Sequence, residues 1–247
     1  MKILICSIIR NVENKLNSWY NQIKNIVSLN KDIDFYLSVY ENNSTDNTKL
    51  LLNNFDFSFL VDKLIISEDL ENYKKFYKGG YDPYSEESKD RVMKLSECRN
   101  KSLLGGNFYK VCDYVLFIEP DIIYNPNIIR KLIDKLIELN IDIITPVSIN
   151  SDGTHFDKWG TRFNKGDKWG DLTPKLRNNV SLIDVHGTFN CMALYKSKPI
   201  IDGCIFGYMS DVLNSHDCDT IIICENFRKE GHGNIKIDCG IRVTHFF

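Results

Sequence analysis

An apolar run in this sequence ends in two carboxylates that a single residue separates. Residues 114–118 are apolar or aromatic, and Glu119-Pro120-Asp121 follows them directly. Carboxylate oxygens at the end of a strand, with room for water and phosphate beside them, are ligands that Mg²⁺ and Mn²⁺ prefer. The same spacing is also typical of an acidic turn before a helix, in which both carboxylates are solvated. The triad by itself leaves both interpretations open.

Polar side chains also follow the first two predicted strands. Arg10 and Asn11 come after the first strand, and the polar run of residues 41–48 comes after the second. That run could hydrogen-bond a base and a ribose, or it could form an ordinary capped turn. Because open α/β sheets bind ligands beyond the carboxyl ends of their strands, we expect these groups at one edge of the sheet. The residues assigned to the nucleoside are Glu41, Asn43 and Asp46.

An Arg-Asn pair lies on the predicted helix that precedes the acidic triad. Arg99 and Asn100 are one turn from the same sheet edge. A guanidinium there could bind a phosphate, since its planar set of donors matches phosphate oxygens. The alternative is a solvated helix face.

The elements that must position these groups alternate between strand and helix over the first 147 residues. We predict strands at 2–9, 34–40, 59–66, 114–118 and 141–146, and helices at 13–29, from a cap at Ser44 or Thr45 to about Asn53, at 91–104 and at 127–139. Such alternation predicts an α/β class with a mostly parallel central sheet. Residues 68–90 are expected to form a long surface loop.

The second half of the sequence is less regular. Residues 150–179 show little periodicity, and we predict later strands at 181–185, 189–195, 235–237 and 241–246 with a helix at 219–230. The interpretation is a single domain over 1–247, in which 1–147 forms the nucleotide-binding half and 148–247 the half for the acceptor and the donor sugar.

Taken in order, these motifs resemble those of nucleotide-sugar glycosyltransferases of the GT-A fold, which is Rossmann-like. Residues 40–48 resemble that family's acidic strand-end turn, Arg99-Asn100 its Arg-Asn pair, and Glu119-Pro120-Asp121 its DxD motif. Within this fold the chain is most similar to the cap-59-like mannosyltransferases of the cryptococcal capsule and to glycosyltransferases of large DNA viruses. Three further stretches match, and they are Asp157 to Arg162, Phe189-Asn190-Cys191-Met192, like Trp-Asn-Gly-Met, and Asp217-Cys218-Asp219.

The resemblance implies a metal-dependent transfer of a sugar from a UDP- or GDP-sugar to a hydroxyl of a glycan or glycoprotein. It implies Mn²⁺ or Mg²⁺ held by Asp121, Glu119 and His245. A core histidine is the alternative for His245. The residues expected to bind the nucleotide-diphosphate sugar are Arg10, Asn11, Glu41, Asn43, Asp46, Arg99, Asn100, Glu119 and Asn190.

Asp217 and Asp219 correspond to the acidic segment that carries the catalytic base in inverting family-2-type transferases. By that analogy Asp217 would deprotonate the acceptor hydroxyl. Both aspartates could instead stabilise the start of a helix through its dipole. Cap-59-like enzymes are thought to retain anomeric configuration, which requires no dedicated base, so the stereochemistry stays open.

Composition excludes several other classes of protein. The 31 Lys and Arg are interleaved with 33 Asp and Glu, which argues against a nucleic-acid partner bound by bulk charge. No apolar stretch has the roughly 20 residues needed to span a membrane. The eight cysteines form no CxxC pair, which favours reduced core thiols and a cytoplasmic location, in a host cytoplasm or virion if the chain is viral.

Three rival hypotheses remain beside the transferase. A sugar-phosphate nucleotidyltransferase would show a Gly-rich loop after the first strand, where Arg10-Asn11 stands. A non-catalytic nucleotide- or carbohydrate-binding module is compatible with Glu119 in the first position of the DxD-like triad. A zinc cluster would use His216, Cys218, Cys224, His232, Cys239 and His245, although none of these has the short spacing of common zinc sites.

Overall fold

The chain alternates strands and helices up to residue 149 and is less regular beyond it. The computed structural model describes residues 1–70, 82–176 and 181–246, so parts of the predicted loop 68–90 and of the segment 150–179 lie outside the described residues. The helices of the described residues are α1 (Glu13–Leu29), α2 (Thr48–Asn54), α3 (Glu86–Leu104), α4 (Ile128–Glu138), α5 (Thr173–Leu176), α6 (Ser197–Ile201) and α7 (Asp219–Lys229). None of them has the length and apolar character needed to cross a bilayer.

The strands are β1 (Lys2–Ile9), β2 (Asp34–Asn42), β3 (Asp62–Glu68), β4 (Tyr114–Ile118), β5 (Ile122–Ile123), β6 (Ile143–Ile149), β7 (Leu182–Asp184), β8 (Met192–Lys196), β9 (Met209–Ser210), β10 (Ser215–His216) and β11 (Ile235–His245). In the described residues nine of them form one sheet in the order β3-β2-β1-β4-β8-β6-β11-β5, with β7 paired to β11. Strands β1, β2, β3, β4, β6 and β11 run one way, and β5, β7 and β8 run the other. The predicted α/β class with a mostly parallel sheet is confirmed.

Different helices cover the two faces of the sheet. Side chains of β1 alternate between the faces, so that Ile3 and Ile5 pack in the layer of α1 and α4, whereas Leu4 and Cys6 pack in the layer of α3 and α7. Each aliphatic side chain buried in this way contributes about 1.5–3 kcal/mol to stability. The core therefore fixes the strands whose carboxyl ends carry the polar residues.

All eight cysteines are buried and unpaired, as expected of core thiols. Burial raises the pKa of the Cys6 thiol far above its usual range, and burial raises the pKa of Cys224 to about 11. These thiols are protonated at neutral pH, so they act as small apolar side chains.

The third strand begins later than the predicted range 59–66. Phe59, at which the predicted strand began, instead clusters with Phe55, Phe57 and Tyr20 of α1. The rings of Phe55 and Tyr20 stack with centroids 4.3 Å apart. Their hydrophobicity therefore reflects packing of a loop against α1 and not strand formation.

Helix α3 begins at Glu86, earlier than the predicted range 91–104. Ser85 caps it, because its hydroxyl accepts a hydrogen bond from the backbone N–H of Ser88 at 3.3 Å. Glu86 and Glu87 occupy the first turn, where the helix dipole favours negative charge. The additional turn adds residues 86–90 to the start of the helix that carries Arg99.

The prediction that Ser44 or Thr45 caps the second helix is wrong. Helix α2 begins at Thr48, and the backbone N–H of Thr48 donates to Oδ1 of Asp46 at 3.0 Å. A carboxylate two residues before the helix supplies the acceptor, which leaves the Ser44 hydroxyl for another partner.

The two predicted terminal strands, 235–237 and 241–246, are one strand, β11. Its pairing with β6 shifts register between Ile237 and Arg242, in the stretch that contains Gly240. This irregularity interrupts the alternation of side chains along β11. One strand therefore looked like two in the sequence. Beyond it, β11 carries His245 to the side of Asp121, which follows β4.

Candidate active site

Two connected clefts open at the carboxyl edge of β1, β2 and β4. Cleft 1 has a volume of 290 Å³ and lies between the ends of β1 and β4 and one face of α3. Cleft 2 has a volume of 470 Å³ and is bounded by the segment after β6, the residues before β8, the start of α7 and the end of β11. The residues that line both clefts are Ile8, Arg91, Leu95, Glu119 and Asp121. The acidic pair after β4 therefore stands where the clefts meet.

Arg99 is the ionic centre of cleft 2. Its Nη1 lies 2.7 Å from Oε1 of Glu119, and its Nε lies 2.6 Å from Oδ2 of Asp219. The guanidinium also packs 4.5 Å from the ring centroid of Phe189. Burial would lower the pKa of Arg99, but the two carboxylates raise it above its ordinary value. This buried cation joins α3 to the end of β4 and the start of α7.

The two carboxylates of the triad face different partners. Glu119 binds Arg99, whereas Oδ2 of Asp121 lies 3.1 Å from Nε2 of His245. The His245 ring stacks on Phe156 with centroids 3.7 Å apart, which fixes the plane of the imidazole. The structure thus brings Asp121 and His245 together, although 124 positions separate them in the sequence.

Asp121 and His245 fit a divalent ion that takes two ligands from the protein. In the described residues no group of three or more His, Cys, Asp or Glu side chains is placed to hold an ion. The zinc cluster hypothesised from the sequence is therefore not assembled in that part of the chain. Mg²⁺-type sites often use only one or two carboxylates, with phosphate and water completing the shell. Burial raises the pKa of Glu119, Arg99 opposes the rise, and Asp121 adds to it. Metal binding by these residues stays a prediction.

Glu41 is fully buried and supports the turn after β2. Its Oε1 accepts a hydrogen bond from the Ser44 N–H at 2.9 Å, and its Oε2 accepts one from the Ser67 hydroxyl of β3. The neighbouring residue, Asn42, is the one from this turn that lines cleft 1 in the described structure. Glu41 therefore holds the turn in place from inside the protein.

Asn11, Asn43 and Asp46 also bind backbone groups of nearby turns. Oδ1 of Asn11 accepts from the Thr45 N–H at 2.7 Å, and the Asn43 side chain exchanges two hydrogen bonds with the backbone of Leu70. Asp46 accepts from two backbone N–H groups, at 3.0 and 3.1 Å. In the described residues the structure brings none of these three side chains into the lining of either cleft.

Asn100 and Asn190 bind protein groups as well. The Asn100 amide makes two hydrogen bonds of 3.0 Å with the backbone of Phe206. Asn190 is fully buried, and its Oδ1 accepts from the N–H of Ser148 at 3.2 Å and lies 2.9 Å from Nε2 of His155. Both amides therefore fix the loops around cleft 2.

Asp217 lies behind cleft 2 and faces Arg162. Its Oδ1 is 2.6 Å from Nη2 of Arg162 and accepts a second hydrogen bond from the Cys218 N–H at 2.8 Å. Burial raises the pKa of Asp217, while Arg162 opposes the rise. In the described residues Asp219 lines cleft 2 and Asp217 does not.

Helix α3 contributes residues that the sequence interpretation did not assign. Arg91, Lys94, Leu95 and Cys98 line cleft 1, at the spacing of three and four that defines one face of a helix. Extending the face of Arg99 by four and eight residues toward the start of the helix would have found Leu95 and Arg91, but not Lys94 and Cys98. Arg10, which was assigned, lines the same cleft.

Asp157 is a second residue that was not assigned, although its segment was part of the resemblance. It lines cleft 2, and its two oxygens accept hydrogen bonds from the N–H groups of Gly160 at 3.0 Å and Asn190 at 2.8 Å. Its exposure to the cleft is not visible in the sequence because it depends on the irregular path of the chain after β6.

The backbone before β8 is strained where it borders cleft 2. Asn190 and Cys191 have φ angles of 53° and 60°. A left-handed conformation costs a residue with a side chain on the order of 1–3 kcal/mol, and only surrounding contacts maintain it. Cys191 stands where the resembled family has glycine, the residue that adopts this conformation most easily.

Comparison with known proteins identifies the type of fold. A family model described as Cryptococcal mannosyltransferase 1 matches residues 2–225. Residues 1–349 of S. aureus TarS in complex with UDP superpose with a TM-score of 0.58 at 12% identity, over 99% of this chain and 60% of that chain. The complex with UDP-GlcNAc gives 0.54 at 12% identity, over 100% and 59%. No curated protein sequence matches significantly.

The chain spans less than two thirds of the length of these TarS chains. At 12% identity the likeness concerns the fold alone. The likeness therefore does not assign the ligands of TarS to particular residues of this chain.

Proposed function

Because the chain belongs to the Cryptococcal mannosyltransferase 1 family, we propose that it transfers a hexose from a nucleotide-diphosphate sugar to a hydroxyl of a glycan or glycoprotein. The observation that carries this proposal is the meeting of two clefts of unlike charge at Glu119 and Asp121. The UDP and UDP-GlcNAc in the complexes of TarS support a nucleotide-sugar donor.

The two clefts differ in the charge of their linings. Cleft 1 is lined by three cations, Arg10, Arg91 and Lys94, and by two carboxylates. Cleft 2 is lined by four carboxylates and two arginines. An excess of positive charge attracts phosphate, and an excess of negative charge repels it. We therefore assign the nucleoside diphosphate to cleft 1 and the sugar to cleft 2.

Asp121 and His245 would hold Mn²⁺ or Mg²⁺ at the junction of the clefts, with Glu119 beside them. When bound, the ion would act as a Lewis acid and neutralise the charge that grows on the departing diphosphate. The chain's own contribution is orientation, since Phe156 fixes the His245 ring and Arg99 fixes Glu119. Arg91 borders both clefts and would add positive charge near the diphosphate.

Asp219 is the better candidate of the two aspartates for contact with an acceptor hydroxyl. It lines cleft 2, and only its Oδ2 is bound to Arg99. Its Oδ1, which lies 3.9 Å from the sulfur of Cys218, would take the hydroxyl proton as general base if the reaction inverts. Asp217 would contribute by holding Arg162 and the start of α7.

The remaining assigned residues would act by shaping the clefts. Glu41, Asn43, Asp46 and Asn11 hold the turn that presents Asn42 to cleft 1, and that amide would meet the base or ribose. Asn100 and Asn190 fix the loops beside cleft 2. Their part in donor binding is thus indirect in this proposal.

Thermal unfolding tests the proposal directly. We would measure the melting temperature with UDP, GDP, ADP or CMP, each with Mn²⁺, Mg²⁺ or chelator, because a ligand that binds only the folded state raises it. The expected result is a metal-dependent shift for one nucleotide. Asp121→Asn should abolish the shift, and Asp134→Asn, on the exposed face of α4, is the matched control.

The products distinguish the transferase from its rivals. The nucleotide's sugar should be hydrolysed slowly or transferred, with release of nucleoside diphosphate. Binding without turnover would identify a non-catalytic module, and formation of nucleotide sugar from sugar phosphate and nucleoside triphosphate would identify a nucleotidyltransferase. If the protein melts cooperatively and no nucleotide raises its melting temperature, the proposal is wrong.

A further inference from the structure

Asp157 differs from the other carboxylates of cleft 2 in its partners. Glu119 and Asp219 bind Arg99, and Asp121 contacts His245. Asp157 accepts hydrogen bonds from backbone N–H groups, and it forms no ion pair within the described residues. It is therefore a charged acceptor whose charge no neighbouring cation neutralises in that part of the structure.

The position of the Asp157 carboxylate is fixed on both sides. A Cβ atom at Gly160 would lie 2.3 Å from Oδ2 of Asp157, so a larger residue at 160 would displace the carboxylate. The other N–H donor belongs to Asn190, whose fully buried side chain is held by Ser148 and His155. Rigid support of this kind is typical of a group that must meet a ligand in one geometry.

The Asp157 carboxylate has further hydrogen-bond acceptor sites that suit hydroxyl groups. Each carboxylate oxygen has two lone-pair sites, and each oxygen of Asp157 uses one for a backbone N–H. The aromatic rings of Trp159, Phe156 and Phe189 line the same cleft. Aromatic faces pack against the apolar face of a sugar while carboxylates accept its hydroxyls. The negative lining of cleft 2 disfavours a phosphate there.

We propose that Asp157 binds hydroxyls of the transferred sugar, so that it helps to determine which nucleotide sugar the protein accepts. This inference rests on the proposed function, because it takes the nucleoside diphosphate to occupy cleft 1. Asp157 is a specificity-determining residue, and the backbone of Gly160 and Asn190 positions it.

The test compares each nucleotide with its sugar. We would measure dissociation constants by calorimetry for UDP against UDP-GlcNAc and for GDP against GDP-mannose, using the pair that binds the wild-type protein. The wild type should bind the nucleotide sugar more tightly than the nucleotide. In Asp157→Asn this advantage should fall by about tenfold to a hundredfold, since a hydrogen bond to a charged group is lost.

Affinity for the nucleoside diphosphate should change little in Asp157→Asn, although the melting temperature should fall because the amide NH2 cannot accept one of the two backbone N–H groups. Asp184→Asn is the control, because Asp184 is an exposed aspartate at the end of β7 that pairs with Lys236 of β11. If Asp157→Asn melts early, the wild type can still be tested with epimeric donors, UDP-GlcNAc against UDP-GalNAc. Discrimination between epimers by the wild type, with loss of it in Asp157→Glu, supports the inference.

Two results would overturn the inference while leaving the proposed function intact. One is a wild-type protein that binds the nucleotide and its sugar equally. The other is an Asp157→Asn variant that keeps the full advantage for the sugar. Failure of the proposed function itself has a different signature, because then the wild type either binds neither nucleotide or binds a nucleotide sugar without turnover.

Discussion

Two arginine–aspartate centres lie on either side of one short segment, and only one borders a cleft. Asp217 and Asp219 are separated by one residue, yet Asp219 binds Arg99 in the lining of cleft 2 and Asp217 binds Arg162 behind it. The side chains of Arg162 and Asp217 are each 1% exposed. The same pair of residue types therefore supports the interior in one place and borders cleft 2 in the other.

The two pairs carry the same charges and differ in whether they line cleft 2. Burying an ion pair costs desolvation energy, which mutual attraction and further hydrogen bonds must offset. Arg162 obtains those hydrogen bonds from the carbonyl groups of Trp159 and Thr161. Arg99 has a second carboxylate instead, Glu119, whose side chain is 19% exposed.

The largest effect should come from breaking the buried pair. We expect Arg162→Ala to lower the free energy of unfolding by about 3–5 kcal/mol, because Asp217 would be left as an uncompensated buried charge. Urea unfolding measures this loss. The double variant Arg162→Met with Asp217→Leu should recover much of the stability, and a double variant as unstable as Arg162→Ala would contradict the interpretation.

The next largest effect should fall on activity. If the reaction inverts, we expect Asp219→Asn to reduce transfer by about a hundredfold or more, as loss of a general base does, with a smaller loss of stability than Asp217→Asn because Glu119 still neutralises Arg99. Asp217→Asn should show the opposite pattern, with reduced stability and a smaller loss of kcat per folded molecule. Steady-state kinetics and thermal unfolding of both variants decide this. Equal kinetic losses in the two variants would remove the distinction between the centres.

A substitution at Gly160 should produce a smaller effect confined to cleft 2. We expect Gly160→Ala to weaken binding of the nucleotide sugar about tenfold, or 1.4 kcal/mol, because its Cβ would displace the Asp157 carboxylate. Binding of the nucleoside diphosphate should stay unchanged in calorimetry. Gly233→Ala is the control, since its nearest contact is the flexible side chain of Arg228 at 3.1 Å.

The smallest effect concerns pH dependence beside the buried pair. Burial, aided by Arg228, Lys165 and Arg162, lowers the pKa of His186 from 6.5 to about 4. The unfolded state then binds more protons between those values, so this residue makes stability fall as pH decreases from about 6.5 to about 4. His186→Gln should flatten that part of the stability curve in urea unfolding. An unchanged slope would show that the pKa of His186 is the same in the folded and the unfolded protein.

Much of the fold was predictable because periodicity reports burial. The ranges 2–9 and 13–29 agree with β1 and α1; β1 is an almost continuous buried run, as expected of a central parallel strand, and the buried positions of α1 repeat every three or four residues. The pattern misled where an aromatic residue packed outside a strand, as Phe59 does, or where a bulge interrupted one, as in β11. Hydrophobicity identifies burial but not the element that achieves it.

The site was predictable in its location and less so in its residues. The order of the predicted strands placed Asp121 at the same sheet edge as the helix that carries Arg99. The resemblance added His245. Residue type does not tell whether a polar side chain turns outward or inward, so Glu41 looked like a ligand-binding residue although it binds Ser44 and Ser67. Asp157 depends on the path of an irregular segment, for which the sequence contains no periodic signal.

The antiparallel strand β8 has a consequence for how the chain folds during synthesis. It pairs with both β4 and β6, although it begins only at Met192, long after β6 has ended at Ile149. Until those residues leave the ribosome, β4 and β6 each expose an unpaired edge at the centre of the future sheet, and such edges invite pairing with other chains. We therefore expect the nascent protein to depend on chaperones until β8 has been translated, and to become resistant to proteolysis only afterwards.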